Sequence, residues 1–298
     1  MFKINVLESK DTRVKKLVFT SDTAVAEAVL YKYPEYKDRT VICCSVQSGC
    51  VVGCTFCGTG KQFIRNLSDT EIVYQVKKCL ELTDCLPSDI EKLQIMFMSM
   101  GEPMHNYSNL EKAIRVLNQL YPNAALLVST SAPRGAIRHR EAFVKLASEI
   151  DKIGLQFSVH ESTDIARQRL IPTPTLTLEE ISYWGMRFLE TTGRRPFFNY
   201  CVHENNSSVH DVVNLLGVFN PLYWECTLSV ICEADETIHE SKQRQLELIQ
   251  EFSKRMLDIG YSIRVFDPAG QDDIGGGCGQ LWATQNWIVQ YKAKKEET

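Results

Sequence analysis

The sequence predicts an α/β fold: a parallel sheet flanked by helices, with a small β-hairpin at the N-terminus. Three observations predict it. From Val41 onward, apolar runs of strand length alternate with helical patterns, the order that builds parallel sheets. Runs such as Ile95-Met96-Phe97-Met98 are continuously apolar, as suits strands buried on both faces. Serine and threonine stand three residues before glutamate at the starts of the intervening helical segments. Pattern does not separate a doubly wound sheet from a barrel.

In chain order, residues 2–8 and 13–20 read as the two strands of the hairpin, split by a polar turn. Strands are then expected at 41–45, 93–99, 124–129, 153–158, 197–202, 227–232 and 263–266. Ser68 with Glu71, Ser108 with Glu111 and Thr177 with Glu180 predict capping boxes, in which a side-chain oxygen and a carboxylate satisfy free N–H groups. Gly193 and Gly260 stand where helix C-caps fall. Leu246, Ile249, Phe252 and Met256 form one apolar stripe and are expected in the core. No repeat, low-complexity segment or linker divides the chain. Residues 1–36 are read as a small β-rich extension and 37–298 as the catalytic domain.

The 298 residues, 44% of them hydrophobic, suffice for one large α/β core. No apolar run approaches the roughly 20 residues of a bilayer-crossing helix. Met1-Phe2-Lys3-Ile4-Asn5 lacks the apolar region of a signal peptide, so a cytoplasmic protein is expected. Eleven cysteines in such a chain point to metal binding and chemistry rather than a disulfide framework. The net charge of −4 offers no general basic surface for nucleic acid. Local basic clusters (Arg134, Arg138, His139 and Arg140; Arg167 and Arg169; Arg194 and Arg195) read singly as solvated surface, or together as a basic rim.

The sharpest feature is Cys50-Val51-Val52-Gly53-Cys54-Thr55-Phe56-Cys57, with three cysteines spaced four and then three apart. Cysteine thiolates are the usual ligands of iron–sulfur cubanes. Three of them leave one of four irons without a protein ligand, open to a small chelating molecule. A structural zinc site would need a fourth Cys or His, usually in a second C-x-x-C pair, which the chain lacks. A redox dithiol would need only Cys54 and Cys57. Other short polar motifs follow strand ends: Gly101-Glu102-Pro103, Ser129-Thr130-Ser131 and Ser158-Val159-His160. In barrels of this class functional groups gather at that rim. Singly, His160 reads as a strand-end histidine, and Ser129 and Ser158 as turn or cap residues.

Together with Cys43, Phe63-Ile64-Arg65-Asn66-Leu67 and Asp272-Asp273-Ile274-Gly275-Gly276-Gly277-Cys278-Gly279-Gln280-Leu281, this ordered set resembles the RlmN/Cfr family. Its members are radical S-adenosylmethionine (SAM) RNA adenine methyltransferases. The likeness runs over roughly residues 25 to 290. It implies a partial (β/α)6 TIM-like barrel of the radical SAM type, open on one side. It implies a [4Fe–4S] cluster on Cys50, Cys54 and Cys57, with SAM chelated to the open iron. Gly101 and Glu102 would meet the SAM amino group, and Ser129, Ser158, Val159 and His160 would line the rest of its site.

Ring carbon C2 of adenine is electron-poor and does not attack a methyl sulfonium directly. The resemblance therefore implies that one SAM methylates Cys278 and a second yields a 5′-deoxyadenosyl radical. That radical takes hydrogen from the S-methyl group, and the methylene radical adds to the ring. A base, for which Glu27 is the best match, removes the ring proton; Cys43 displaces Cys278, leaving a disulfide. Cys44, adjacent, competes for that role, but the seven-residue offset before Cys50 matches Cys43. The expected substrate is ribosomal or transfer RNA, methylated at C2 rather than C8, by a monomer served by a flavodoxin- or ferredoxin-like donor and not bound to membrane. The same machinery acting on another substrate, and a non-catalytic metal-cluster module binding RNA or protein, are the alternatives. Three departures bear on substrate: a hairpin where the family carries a larger helical N-terminal domain, Glu233-Ala234-Asp235-Glu236 where it has a Pro/Asn segment, and Gly270-Gln271 where it has Arg-Gly. Cys79, Cys85, Cys201, Cys226 and Cys232 read as small buried hydrophobes.

Overall fold

The structure, a computed structural model, describes residues 2–59, 62–230, 238–266, 273–275 and 281–296. The N-terminal hairpin is present as β1 (Lys3–Glu8) and β2 (Val14–Thr20). A third antiparallel strand, β3 (Val25–Lys32), follows and pairs on its far side with β4 (Arg39–Cys44). That strand escaped the sequence reading because Ala26, Glu27 and Ala28 are weak strand formers. Pairing on both edges overrides the propensity, and Val25 to Tyr31 are buried throughout. The sheet thus runs unbroken from the extension into the catalytic portion.

After β4 come the two-residue strands β5 (Gln47–Ser48) and β6 (Arg65–Asn66), then α1 (Asp69–Leu80) and β7 (Lys92–Phe97). There follow α2 (Tyr107–Leu120), β8 (Ala125–Thr130), α3 (Arg140–Glu149), β9 (Ile153–Ser158), α4 (Asp164–Leu170), α5 (Leu178–Thr192) and β10 (Phe197–Cys201). The chain closes with α6 (Val209–Val218), β11 (Glu225–Ser229), α7 (Ile238–Asp258), β12 (Ser262–Phe266) and α8 (Trp282–Glu296). The sheet order is β1-β2-β3-β4-β7-β8-β9-β10-β11-β12, parallel from β4 onward. Each parallel strand is added beside the one before it, with no reversal of the kind that defines a doubly wound sheet. Right-handed crossovers then put the helices on one face. The order therefore resolves the ambiguity in favour of an open partial barrel, its six strands β4, β7, β8, β9, β10 and β11 extended at the edge by β12.

The two faces of the sheet differ. On β7, Leu93, Ile95 and Phe97 are fully buried toward the helices, whereas Gln94 and Met96 are half-buried on the other side. The expectation of strands buried on both faces is corrected here: the concave face is partly open. The expected capping boxes form at Ser68/Glu71 and Thr177/Glu180, and Gly193 ends α5 in the left-handed conformation at φ 72°. The box at Ser108 does not form. A 3-10 turn over Pro103–Asn106 runs directly into α2, which starts at Tyr107, and the Asn106 side chain is spent on the carbonyls of Val46 and Leu67. A box that the sequence reading missed caps α6, from Ser208 and Asp211. Of the α7 stripe, Ile249, Phe252 and Met256 enter the core, but Leu246 is 40% exposed, because the buried stripe continues toward the N-terminus through Gln245 and Ser241, one position round the helix.

Gly185, inside α5, lies against Trp224, which is fully buried and ringed by Phe157, Phe198 and Phe219. A β-carbon at Gly185 would fall 2.2 Å from the indole. Gly185→Ala is therefore expected to destabilise by about 1–3 kcal/mol through overpacking, outweighing its gain of about 1 kcal/mol in helix propensity. Urea unfolding checks this; an unchanged or raised stability would refute the close approach.

Candidate active site

The cysteine loop leaves the sheet after β5 and returns at β6. Gly49 opens it at φ 75°, and a β-carbon there would fall 1.5 Å from the Gln62 carbonyl, so the two limbs can meet only at glycine. The loop is tied to the segment after α4. Thr55 N–H donates to the Leu170 carbonyl at 3.0 Å, and Thr173 Oγ1 donates to the Val52 carbonyl at 2.6 Å. Cys50, Cys54 and Cys57 are half-buried. Burial pushes the Cys50 thiol up to about 12 and raises Cys54 further, each with smaller contributions from the neighbouring cysteines and Glu102.

Gly101-Glu102 stands beside this loop. Gly101 has φ 96°, and a β-carbon on it would fall 2.5 Å from that of Gln47. The Glu102 carboxylate is almost fully buried and its hydrogen-bonding capacity is used within the protein. Oε1 accepts from Met104 N–H at 2.9 Å and Thr130 Oγ1 at 2.5 Å; Oε2 accepts from Ser131 N–H and Oγ, both at 2.8 Å. Glu102 thereby joins the loop after β7 to the end of β8.

Arg167 does the same for the next two strands. The sequence reading placed it with Arg169 on a solvated face, but it is 1% exposed. Its guanidinium donates to the carbonyls of Ser131 at 2.7 Å, Ser158 at 2.9 Å and Leu176 at 3.1 Å, and to Thr175 Oγ1 at 2.5 Å. Burial lowers its pKa to about 10, which leaves it cationic beside Cys54 and Glu102. His160 turns sharply at φ 62°, its backbone and that of Val159 donating to the Asn199 carbonyl. Its ring meets Phe56 of the cysteine loop edge-on at 5.5 Å. Burial, with Arg167 and His203 nearby, lowers His160 to about 3, so the imidazole is neutral; its Nδ1 is buried without a hydrogen-bond partner.

A polar row crosses the sheet interior. Gln156 Nε2 donates to Ser129 Oγ at 3.2 Å, and Ser229 Oγ donates to Asn199 Oδ1 at 2.6 Å. Gln156 and Asn199 were not singled out from sequence, although polar residues alternating with apolar ones inside strands were the available signal. Val159, by contrast, has its side chain in the main core.

The remaining motif residues gather on the concave face of β2, β3 and β4. Cys44 is sealed in the core, whereas Cys43 is half-buried and packs with Val29, Met96 and Ile274; burial pushes its thiol up to about 12. Glu27 is fully buried, not solvated. Its Oε1 accepts from Thr284 N–H and Oγ1, and its Oε2 has the Lys16 ammonium 2.7 Å away. Cys278 and Cys232, with residues 233–236 and 270–272, lie outside the described residues. Of the other cysteines, Cys79, Cys201 and Cys226 are buried, while Cys85 is only half-buried. A cavity of about 1080 Å³ between Phe2, Tyr74, Trp287 and Tyr291 is lined by Arg65 of the Phe63–Leu67 motif but by none of the residues expected to hold the cluster, SAM or the transferred methyl group.

The donor set suits an iron–sulfur cubane. Three thiols share one loop, an orphaned imidazole nitrogen and a buried cation stand beside it, and two glycines permit close backbone approach. Among the described residues, no three Cys, His, Asp or Glu side chains converge on a single ion. That is the arrangement a zinc site would require; cubane ligands bind different irons and stand further apart.

No family model matches the chain. It is 32% identical, over 293 aligned positions, to the dual-specificity RNA methyltransferase RlmN of Wolinella succinogenes, covering 92% of this chain and 78% of that protein. It is 30% identical to the ribosomal RNA large subunit methyltransferase N of Nitrosopumilus maritimus, covering 93% and 78%. The chain belongs to the RlmN family of radical SAM methyltransferases. Among solved structures, a radical SAM methyltransferase from Sphaerobacter thermophilus superposes with a TM-score of 0.77 at 28% identity, covering 95% of this chain and 81% of that one. The cofactors of this RlmN-family enzyme are a [4Fe–4S] cluster and SAM.

Two expectations follow. Arg167→Met should destabilise this RlmN-family chain by about 3 kcal/mol or more, because each orphaned buried carbonyl costs about 1–3 kcal/mol. Lysine, lacking the fork, should not rescue it; wild-type stability in urea would contradict the cross-link. His160 concerns pH. Folded, it takes a proton only near 3, while the unfolded imidazole does so near 6.5. The unfolded state therefore binds more protons between those values, and stability falls as pH drops through that window and is unaffected above it. Anaerobic urea unfolding of His160→Gln should show a flatter slope below pH 6.5; an identical slope would refute the neutral buried imidazole.

Proposed function

We propose that this enzyme methylates a ring carbon of adenine, C2 before C8, in ribosomal or transfer RNA, through a methyl group carried on Cys278. The observation that carries the reading is the seating of Ile274, four residues before Cys278, in the same apolar cluster as Cys43. In this reading Cys50, Cys54 and Cys57 hold the cluster. Gly101 and Glu102, with Ser129, Ser158, Val159 and His160, surround SAM. When bound, the cluster and SAM supply an electron, a methyl donor and radical chemistry that no side chain could provide.

The chain's own groups place and protect the reactants. Glu102 and Arg167 brace the rim, so the backbone approaching SAM is preorganised before binding. Neutral His160 adds a polar contact without adding charge. Glu27, on the concave face with Cys43, is the acceptor for the ring proton. Cys43, held as a thiol by burial, gives up its proton and attacks the Cys278 sulfur; the S–CH2 bond breaks, its electron pair stays with the product carbon, and that carbon takes up a proton to become the methyl group. A Cys43–Cys278 disulfide results, and external reductant resets it.

A flavodoxin- or ferredoxin-like protein is the proposed electron donor, to a monomer in the cytoplasm. Among the described residues no helix is long and apolar enough to cross a membrane. The target adenine must leave its stack to reach the concave face, which favours a loop over a duplex. Several arginines of the supposed basic rim are spent internally: Arg134 on Glu180, Arg194 on the Ala147 carbonyl, and Arg195 on the Pro221 and Trp224 carbonyls. RNA binding therefore relies on shape and base contacts more than on a broad cationic field.

Two measurements test the reading. Mass spectrometry of RNA nucleosides from cells with and without the protein should show methyladenosine only in its presence; no difference would overturn the RNA substrate. Cys43→Ala should leave RNA covalently attached through Cys278. A loaded, Cys278-methylated variant that traps no adduct would refute the role of Cys43.

A further inference from the structure

Lys16 and Glu27 form an ion pair with both side chains 0% exposed, at 2.7 Å. Lys16 sits on β2 between Val14 and Val18, opposite Val29, so its side chain enters the same concave face as Glu27. The ammonium also donates to the Gly275 carbonyl at 2.8 Å and lies 3.4 Å from that of Ile274. The partner carboxylate receives Thr284 N–H at 2.8 Å and Thr284 Oγ1 at 2.6 Å, in the first turn of α8. One pair thus holds both flanks of residues 276–280, the segment that contains Cys278.

Stability alone does not account for such a pair. Desolvating two charges costs about as much as their attraction returns, and an apolar pair of similar volume usually serves as well or better. What a buried pair adds is registry, since its geometry accepts few alternative partners. The neighbouring sequence makes registry valuable. Gly275-Gly276-Gly277-Cys278-Gly279 holds four glycines, the residue type with the least backbone preference of its own. The ends are held on β2 and β3, beside the strand that presents Cys43, and Ile288 of α8 packs on Val18 and Val25 next to the pair.

We propose that Lys16 is a positioning residue for the Cys278 segment: with Glu27 it clamps Ile274–Gly275 on one side and Thr284 on the other, setting the reach of the Cys278 thiol. The proposal rests on Cys278 as methyl carrier, so the test reads the clamp and the carrier separately. The full chain is reconstituted anaerobically with iron, sulfide and SAM, as Lys16→Met, Thr284→Val and unaltered protein. Iron and sulfide content, amide hydrogen exchange and S-methylation of Cys278 are measured for each.

Lys16→Met should retain its cluster, exchange about tenfold faster at 273–275 and 281–285 with no change in β7–β9, and carry several-fold less methyl on Cys278. Thr284→Val should accelerate exchange at 281–285 alone, and it decides the matter if Lys16→Met does not fold. Unchanged exchange at these flanks, or equal acceleration across β7–β9, would overturn the clamp. Exchange as expected in the variants, with no methyl on Cys278 even in the unaltered chain, would keep the clamp and remove the carrier.

Discussion

Parallel strands end with backbone groups that no neighbouring strand can pair, and the active-site rim depends on how those groups are satisfied. Two buried charged side chains do most of it. Glu102 gathers the N–H groups of Met104 and Ser131 with two hydroxyls, and Arg167 gathers the carbonyls of Ser131, Ser158 and Leu176. Ser131 is common to both, its N–H on the carboxylate and its carbonyl on the guanidinium. The ends of β7, β8 and β9 are thereby one connected polar unit, with Phe56 of the cysteine loop resting on His160 at its margin. A rim built this way leaves the concave face open while pairing the backbone groups of Met104, Ser131, Ser158 and Leu176.

The N-terminal strands solve a different problem. An open barrel has a concave face with no neighbour, and here β2 and β3 extend that face past β4. Their inward positions alternate apolar residues with Lys16 and Glu27, and the last helix packs across them through Ile288. The last helix is thus brought to β3, the strand beside the one that carries Cys43. What looks in the sequence like a minor appendage forms one wall of the region where chemistry is proposed.

Much of this was readable in advance, and the readable parts share a cause. The cysteine spacing, two of three capping boxes and the alternation of strands with helices are local patterns with local physical requirements. The misreadings share a cause as well. Ser108 has the residues of a cap, but the turn ahead of it already continues into the helix. Leu246 keeps helical spacing with core residues, yet it is the neighbouring polar Gln245 and Ser241 that carry the buried stripe at that end of α7. Arg167 looks like surface because its partners are backbone carbonyls, which leave no trace in composition.

From the order of residues one could read the three closely spaced thiols, the glycine-flanked Cys278, the α/β class and the family they resemble, because each follows from residue type at short separation. Folding alone could show that Cys43 and Cys44, one position apart, face opposite sides of a strand, with Cys44 in the main core and Cys43 on the concave side. It alone could join Lys16 to Gly275 and Glu27 to Thr284, more than 250 residues apart. Burial and pairing are properties of the assembled sheet, and a side chain acquires them only when distant strands fix what lies across from it.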